Sequence, residues 1–147
     1  MEVLSYEDLS LDTFHELIAL RIAVFVVEQN CPYQELDGKD KLGEHLIMRD
    51  RTNGKIIGTA RILPPGVSYD EVAIGRVVTD NDYRGKGVGH FLMESCMKHI
   101  EKKYGQVPVR ISAQEHLENY YRKHGFVPTG KAYLEDDIPH IEMYYSK

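Results

Sequence analysis

The sequence predicts an α/β fold in which helices lie against one mixed sheet, mostly antiparallel with a parallel portion. Three observations predict it. Two segments, Leu11 to Phe25 and Val88 to Ile100, carry apolar residues at helical intervals. Short apolar runs bounded by Gly, Pro, Asn and Asp read as strands. Their order is strand and helix, three strands, then helix, strand and helix, and finally more strands, which mixes antiparallel neighbours with a parallel pair.

Val3 to Tyr6 is a short strand. An amphipathic segment begins near Asp12, where Thr13 and Glu16 have capping-box spacing, and runs to about Glu28. Leu11, Phe14, Leu17, Ile18, Ile22 and Phe25 form its apolar stripe. The following NCPYQELDGKD, residues 30 to 40, is a loop broken by Pro32 and Gly38. EHLIMRD and KIIGTARIL are strands joined by a turn at Arg51 to Gly54, and Pro64-Pro65-Gly66 marks the next turn. EVAIGRVVT, residues 71 to 79, is a third strand, apolar enough to lie inside a sheet. The helix from about Val88 to Lys103 turns Val88, Leu92, Cys96 and Ile100 toward a core, flanked by Met93 and Met97. VPVRISA is a strand and HLENYYRKH a short helix stopped by Gly125. FVPTG and IPHIEMYYS are the closing strands.

The 147 residues favour one domain, 1–147, that buries about 70% of the surface of its unfolded chain. No apolar run approaches the roughly 18 residues of a membrane span, and the acidic start MEVLSYEDLSLD is unlike a secretory signal, so a cytoplasmic protein is expected. Cys31 and Cys96 match no zinc or redox spacing and are expected as free thiols. The net charge of −5 argues against a general nucleic-acid binder. His15-Glu16 lacks a second His at metal-binding spacing and the seven histidines are scattered, so no metal is expected. A homodimer is left open.

The stretch YRGKGVG, Tyr83 to Gly89, joins a strand to a helix with three glycines at alternate positions and two cations. It is no Walker A loop, because Gly85-Lys86 is followed by Gly87 rather than Ser or Thr. A dinucleotide fingerprint would need a glycine three residues after Gly87, where His90 stands. What remains is a short turn that aims backbone N–H groups at a pyrophosphate, with a helix N-terminus behind it. The first helical turn after Gly87 has no Asp or Glu of its own, which leaves the positive end of the helix dipole for an external anion.

With Arg84, Gly87 and Gly89 on its defining positions, this run resembles the Arg/Gln-x-x-Gly-x-Gly/Ala signature of the GCN5-related N-acetyltransferases (GNAT). A second segment, AQEHLENYYRKHGF, resembles the family's later helix, with Tyr121 four residues before Gly125-Phe126. VFVVEQNCPYQELDGKD and YLEDDIPHIEMYY are similar to the ElaA-type subgroup, so the resemblance spans nearly the whole chain. It implies an acetyl-CoA-dependent N-acetyltransferase. In that fold EVAIGRVVT splays from VPVRISA, and backbone groups at Val77, Val78 and Thr79 bond the pantetheine arm as a missing strand would. The pyrophosphate is then held by Arg84, Gly85, Lys86, Gly87, Val88 and Gly89. By residue type alone, Val77 to Thr79 are also simply a buried strand.

Acetyl transfer needs a neutral amine, a donor to the oxyanion and a proton for the leaving thiolate. A backbone N–H near Val77 or Val78 suits the second. Tyr121 is the candidate acid, with core packing as its alternative. A phenol near pKa 10 giving its proton to a thiolate whose acid has pKa about 8.5 works uphill by about 2 kcal/mol. Tyr120 is expected to pack. Glu28 is the first candidate base and His140 the second, and of Glu44 and His45 at most one can face the cleft. Arg61, Arg76 and Gln114 either line the acceptor site or emerge on the wet face, and Gln114 also counts among the cofactor-binding candidates. The expected acceptor is a small-molecule or peptide amine. A non-catalytic acyl-CoA-binding or sensing module is the competing function, and a nucleotide-phosphate enzyme is disfavoured by the failed loop patterns.

Overall fold

The computed structural model describes residues 1–146. Seven strands form one open sheet in the order β1-β2-β3-β4-β5-β7-β6. They are β1 (Glu2–Ser5), β2 (Glu44–Arg49), β3 (Ile56–Leu63), β4 (Val72–Thr79), β5 (Val109–Gln114), β6 (Val127–Glu135) and β7 (Ile138–Tyr145). Every neighbouring pair is antiparallel except β4 and β5, which are parallel and joined by the crossover helix α2 (Val88–Tyr104). The expected mixed α/β sheet is the one observed.

The helices α1 (Leu11–Ile22) and α2 cover opposite faces. Leu17, Ile18, Leu20 and Val24 pack on Ile47, Ile56 and Val78, whereas Leu92, Met93, Cys96 and Ile100 pack on Leu46, Ala60, Ile62 and Ile74. Leu46 and Ile47 therefore face different cores, as the two-residue strand period demands. The alternation slips within β4. Val72 and Ile74 face the α2 core, yet Val78 faces the α1 core and Val77 the other. The cause is a bulge: Thr59 pairs with Val78 and Arg61 with Gly75, so Arg76 and Val77 together oppose Ala60. Arg76 takes up the extra residue with φ of 51°, a left-handed conformation rare outside glycine.

The cap of α1 differs from the expected one. Ser10, not Thr13, ends the helix: its hydroxyl accepts from Thr13 N–H at 3.0 Å, and the helix starts one residue before Asp12. Glu16 is drawn away from any capping box by the β3 backbone, accepting from Ile56 N–H at 2.7 Å. Leu11 consequently lies outside the buried stripe, 88% exposed. The segment does run to Glu28, but its last six residues, Ala23–Glu28, are wound as a π-helical turn. Near the other end of the chain, β6 continues well beyond FVPTG to Glu135, and a tight turn at Asp136 and Asp137, both with positive φ, returns it to β7.

The acidic loop between α1 and β2 is held by charge. Arg21, 1% exposed, donates from Nε to Glu35 at 2.6 Å and from both terminal nitrogens to Asp40 at 2.8 and 3.3 Å. Arg61 holds Asp37 through two bonds of 2.9 and 3.0 Å and reaches Asp40 at 3.2 Å. Arg76 reaches Glu35 at 3.0 Å and Asp37 at 3.3 Å. Three guanidinium groups thus meet three carboxylates, and the lattice is neutral. Burial works against the charged Asp37 and Asp40, but hydrogen bonds from Arg61 to the first and Arg21 to the second outweigh it and hold both below the usual carboxylate range. The imidazole of His45 is pushed down, chiefly by burial.

Stability is therefore expected to fall with acid in two stages. His45 is kept neutral by the fold, so protonation of the unfolded chain begins to favour unfolding below about pH 6.5. Asp37 and Asp40 bind protons more weakly folded than unfolded, so a second, steeper loss sets in below about pH 4. Urea midpoints measured from pH 8 to pH 3 check this, and a midpoint that climbs on acidification would contradict it.

Candidate active site

The parallel pairing of β4 and β5 lasts for two register positions, Val72 with Val109 and Ala73 with Arg110. Beyond it β5 stays with β7 as far as Gln114 and His140, while β4 bulges at Arg76 and stays with β3. The strands part, and the backbone of β4 from Ile74 to Thr79 runs without a neighbour on its β5 side.

The glycine loop lies at the end of this gap. Asp80 caps a short turn, Asn81–Tyr83, and Arg84 is extended. Gly85 and Gly87 follow with φ of 78° and 80°, Gly87 serving as the N-cap of α2. A Cβ built on either would meet no protein atom within 4 Å, so the backbone conformation, not crowding within the protein, calls for glycine there. Gly89 is different: a Cβ would come within 3.4 Å of the Tyr120 hydroxyl. That hydroxyl donates to the Gly89 carbonyl at 2.5 Å, so Tyr120 pins the first turn of α2 as well as packing. The turn carries no acidic side chain, as the sequence indicated. A glycine turn, open space above it and an uncompensated helix N-terminus suit a pyrophosphate.

Two cavities open along the gap between the parted strands. A cleft of about 330 Å³ runs along Val77, Val78 and Thr79 to Arg84 and Gly89. A larger cavity of about 590 Å³ is walled by Asp37 of the charged loop with its partners Arg61 and Arg76, and by Ser112, Glu135 and His140. Tyr121 belongs to both walls. It sits on α3 (Glu118–Arg122), 8% exposed, with its ring edge-on to Tyr120 and Phe126. Burial, with a smaller effect of Cys96, raises its phenol above the ordinary range.

The other candidates divide between the two cavities. Gln114 borders both, and Arg61 and Arg76 line the larger one rather than the wet face. Glu28 lines the cleft alone, with its carboxylate held by Arg84 at 2.6 Å. His140, 7% exposed, lines the larger cavity. Its Nδ1 lies 2.7 Å from the Ile138 carbonyl, which requires the proton on Nδ1, and Nε2 lies 3.3 Å from Glu135. Glu44 and His45 line neither cavity: Glu44 binds His99 and Lys103 at 3.0 and 2.9 Å, and His45 binds the Asp40 carbonyl. Among the described residues no cluster suits a metal ion, and no helix is long and apolar enough to cross a membrane.

Sequence reasoning missed Gln29 and Phe25, which border both cavities, and the lattice of Arg21, Glu35, Asp37 and Asp40. A signal existed for the lattice. Arg21, Arg61 and Arg76 each interrupt apolar runs, and QELDGKD offers three carboxylates close together.

A splayed mixed sheet with a glycine turn at a helix N-terminus defines the acyl-CoA N-acyltransferase class. The chain matches the model of the acetyltransferase (GNAT) domain over residues 5–147 and belongs to that family. It is 41% identical to the protein ElaA of Escherichia coli K12, over 95% of this chain and 92% of that one. An acyl-CoA N-acyltransferase from Pseudomonas aeruginosa superposes with a TM-score of 0.91 at 42% identity, covering 99% of this chain and 98% of that one. An aminoglycoside 6′-N-acetyltransferase complexed with coenzyme A shares the fold, with a TM-score of 0.71 at 14% identity over 98% and 96% of the two chains.

Removing the pin on α2 is expected to have a local cost. Tyr120→Phe leaves the ring and deletes one hydrogen bond, so denaturant unfolding should show a loss of about 1 kcal/mol. An unchanged midpoint would mean that water replaces the phenol.

Proposed function

We propose that the protein transfers an acetyl group from acetyl-CoA to an amine by direct attack in a ternary complex. The observation that carries the proposal is the wall shared by the two cavities, with Tyr121 in it. Acetyl-CoA supplies an acetyl group activated as a thioester. In this reading β4 holds the pantetheine arm through the backbone of Val77, Val78 and Thr79, and residues 84–89 hold the pyrophosphate. An N–H at Val77 or Val78 donates to the oxyanion. Gln114 borders the thioester. The cleft takes the cosubstrate and the larger cavity takes the acceptor.

Tyr121 gives the departing sulfur its proton. Its raised phenol is not disqualifying, because the burial that disfavours a phenolate disfavours a thiolate in the same place. An aliphatic amine arrives protonated at neutral pH and must lose a proton before it attacks. His140 is the base that fits the acceptor side: its Nδ1 proton is committed to a carbonyl, which leaves Nε2, 3.3 Å from Glu135, to take a proton. Glu28, the other candidate, serves better to orient Arg84 from the cofactor side.

The acceptor is a small-molecule or peptide amine, not a nucleic acid. The arginines of the cavity are neutralised within their lattice, and Glu135 and Asp136 face it with no Lys or Arg partner among the described residues, against one further cation, Lys39, which donates to Ser68. Together with the net charge of −5, this draws cations and repels polyanions.

Tyr121→Phe keeps the ring and removes the acid. It should leave acetyl-CoA affinity and stability nearly unchanged and lower kcat by about 10²- to 10⁴-fold in a thiol-release assay over a panel of amines. Full kcat with chemistry rate-limiting would return Tyr121 to core packing. For the glycine turn, Gly87→Val should weaken acetyl-CoA binding more than Lys86→Ala, because the first forces a strained backbone whereas the second removes a solvent-screened cation. Calorimetry on both variants checks the order, and equal affinity of Gly87→Val and wild type would remove the pyrophosphate from this turn.

A further inference from the structure

The charges that line the larger cavity fall into two sets. Arg61, Arg76 and Asp37 belong to the neutral lattice. Outside it the lining carries one cation, Lys39, and two carboxylates, Glu135 and Asp136. The gap in the sheet separates the two signs. Lys39 precedes β2, and its partner Ser68 lies in the connection from β3 to β4. Glu135 and Asp136 stand at the turn from β6 to β7, with His140, on the β5 side. Lys39 has no carboxylate partner among the described residues, because its neighbours Asp37 and Asp40 are held by arginines. Its Nζ donates to Ser68 Oγ at 2.9 Å. An ammonium has three N–H groups, and a hydroxyl that accepts a bond keeps its own O–H to give. The pair thus has two N–H groups and one O–H left for something else.

We infer that Lys39 and Ser68 hold a carboxylate on the acceptor, an inference that rests on the acetyl transfer proposed above. The acceptor is then an amine that also carries a carboxylate, such as an amino acid or a short peptide with a free C-terminus. Positive charge on one side of the gap and negative charge on the other complement a molecule with an ammonium at one end and a carboxylate at the other. Glu135 and Asp136 draw the ammonium, which loses its proton before it attacks. The carboxylate keeps its charge throughout, so a fixed cation holds it equally in substrate and transition state. Binding of that uniform kind shows in KM more than in kcat. One lysine matches a single negative charge. A phosphate monoester, with nearly two, would exceed it in a cavity whose other unpaired charges are acidic.

The test compares glycylglycine and triglycine with their C-terminal amides, and includes methylamine as an acceptor with no second group. Thiol release from saturating acetyl-CoA is measured, with each rate referred to the neutral fraction of the amine. Each acid and its amide differ by one charge and little in shape. Wild type should favour the acid by about tenfold in kcat/KM, chiefly through KM, as one charge-assisted bond implies. Lys39→Met should bring the ratio of acid to amide to about one, Lys39→Arg should keep the preference, and Lys39→Glu should reverse it. A bond that merely fastened the charged loop to the β3–β4 connection would affect acid and amide alike. An unchanged ratio in Lys39→Met therefore overturns the inference, even where activity falls. Equal use of acid and amide by wild type, or thiol release to methylamine alone, overturns it while the acetyl transfer stands. Thiol release to no amine overturns both.

Discussion

Strands β4 and β5 start as parallel neighbours at Val72 and Val109 and lose each other after Ala73 and Arg110, and both cavities exist because of that parting. A central strand seldom leaves one row of N–H and C=O groups unpaired, since each group buried without a partner costs free energy on the order of 1–3 kcal/mol. Here the exposed row is kept open from both sides. Across the bulge at Arg76 and Val77 β4 stays paired with β3, and six register pairs bind β5 to β7. The same bulge exchanges the faces of β4, which sends Val78 into the α1 core and leaves Val77 on the face it shares with Tyr121. One inserted residue thus both opens the gap and arranges what lines it.

The strained Arg76 is held by charge. Left-handed backbone at a residue with a long side chain is unfavourable by roughly 1–3 kcal/mol and persists where the surroundings fix it. The Arg76 guanidinium bonds Glu35 and Asp37, which in turn bond Arg21 and Arg61. Through these bonds the acidic loop and strands β3 and β4 become one wall of the larger cavity, tied to α1 through Arg21. Such a lattice is weak evidence for stability, since the cost of drying or partly drying six charges is close to what their attraction returns. Its consequence is geometric: in the wall beside the bulge each of the three carboxylates is held by two arginines.

Much of this was legible in the sequence. The strand and helix order, the buried stripe of α2 and the glycine turn follow from periodicity and from residues with few conformational alternatives. At the cap of α1, Thr13 and Glu16 match the local pattern, whereas Glu16 is claimed by Ile56 of β3, a contact that local spacing cannot express. β6 runs past Gly130, where the sequence pattern ends it, for a similar reason. KAYLE has little apolar character of its own and is a strand because β7 pairs with it. Of the site, the residues on recognisable motifs stood out, Tyr121 and the glycines above all. Gln29 did not, because a polar residue at the end of a helix carries no mark of a partner 85 positions away.

The most direct test is hydrogen exchange at the β4 amides with and without coenzyme A. If the parted strands receive the pantetheine arm as a missing strand, the amides of Val77, Val78 and Thr79 that face β5, together with those of Gly87, Val88 and Gly89, should exchange markedly more slowly when coenzyme A is bound. Binding confirmed by calorimetry, with exchange unchanged at both stretches, would contradict the central claim that this gap is where the cosubstrate lies.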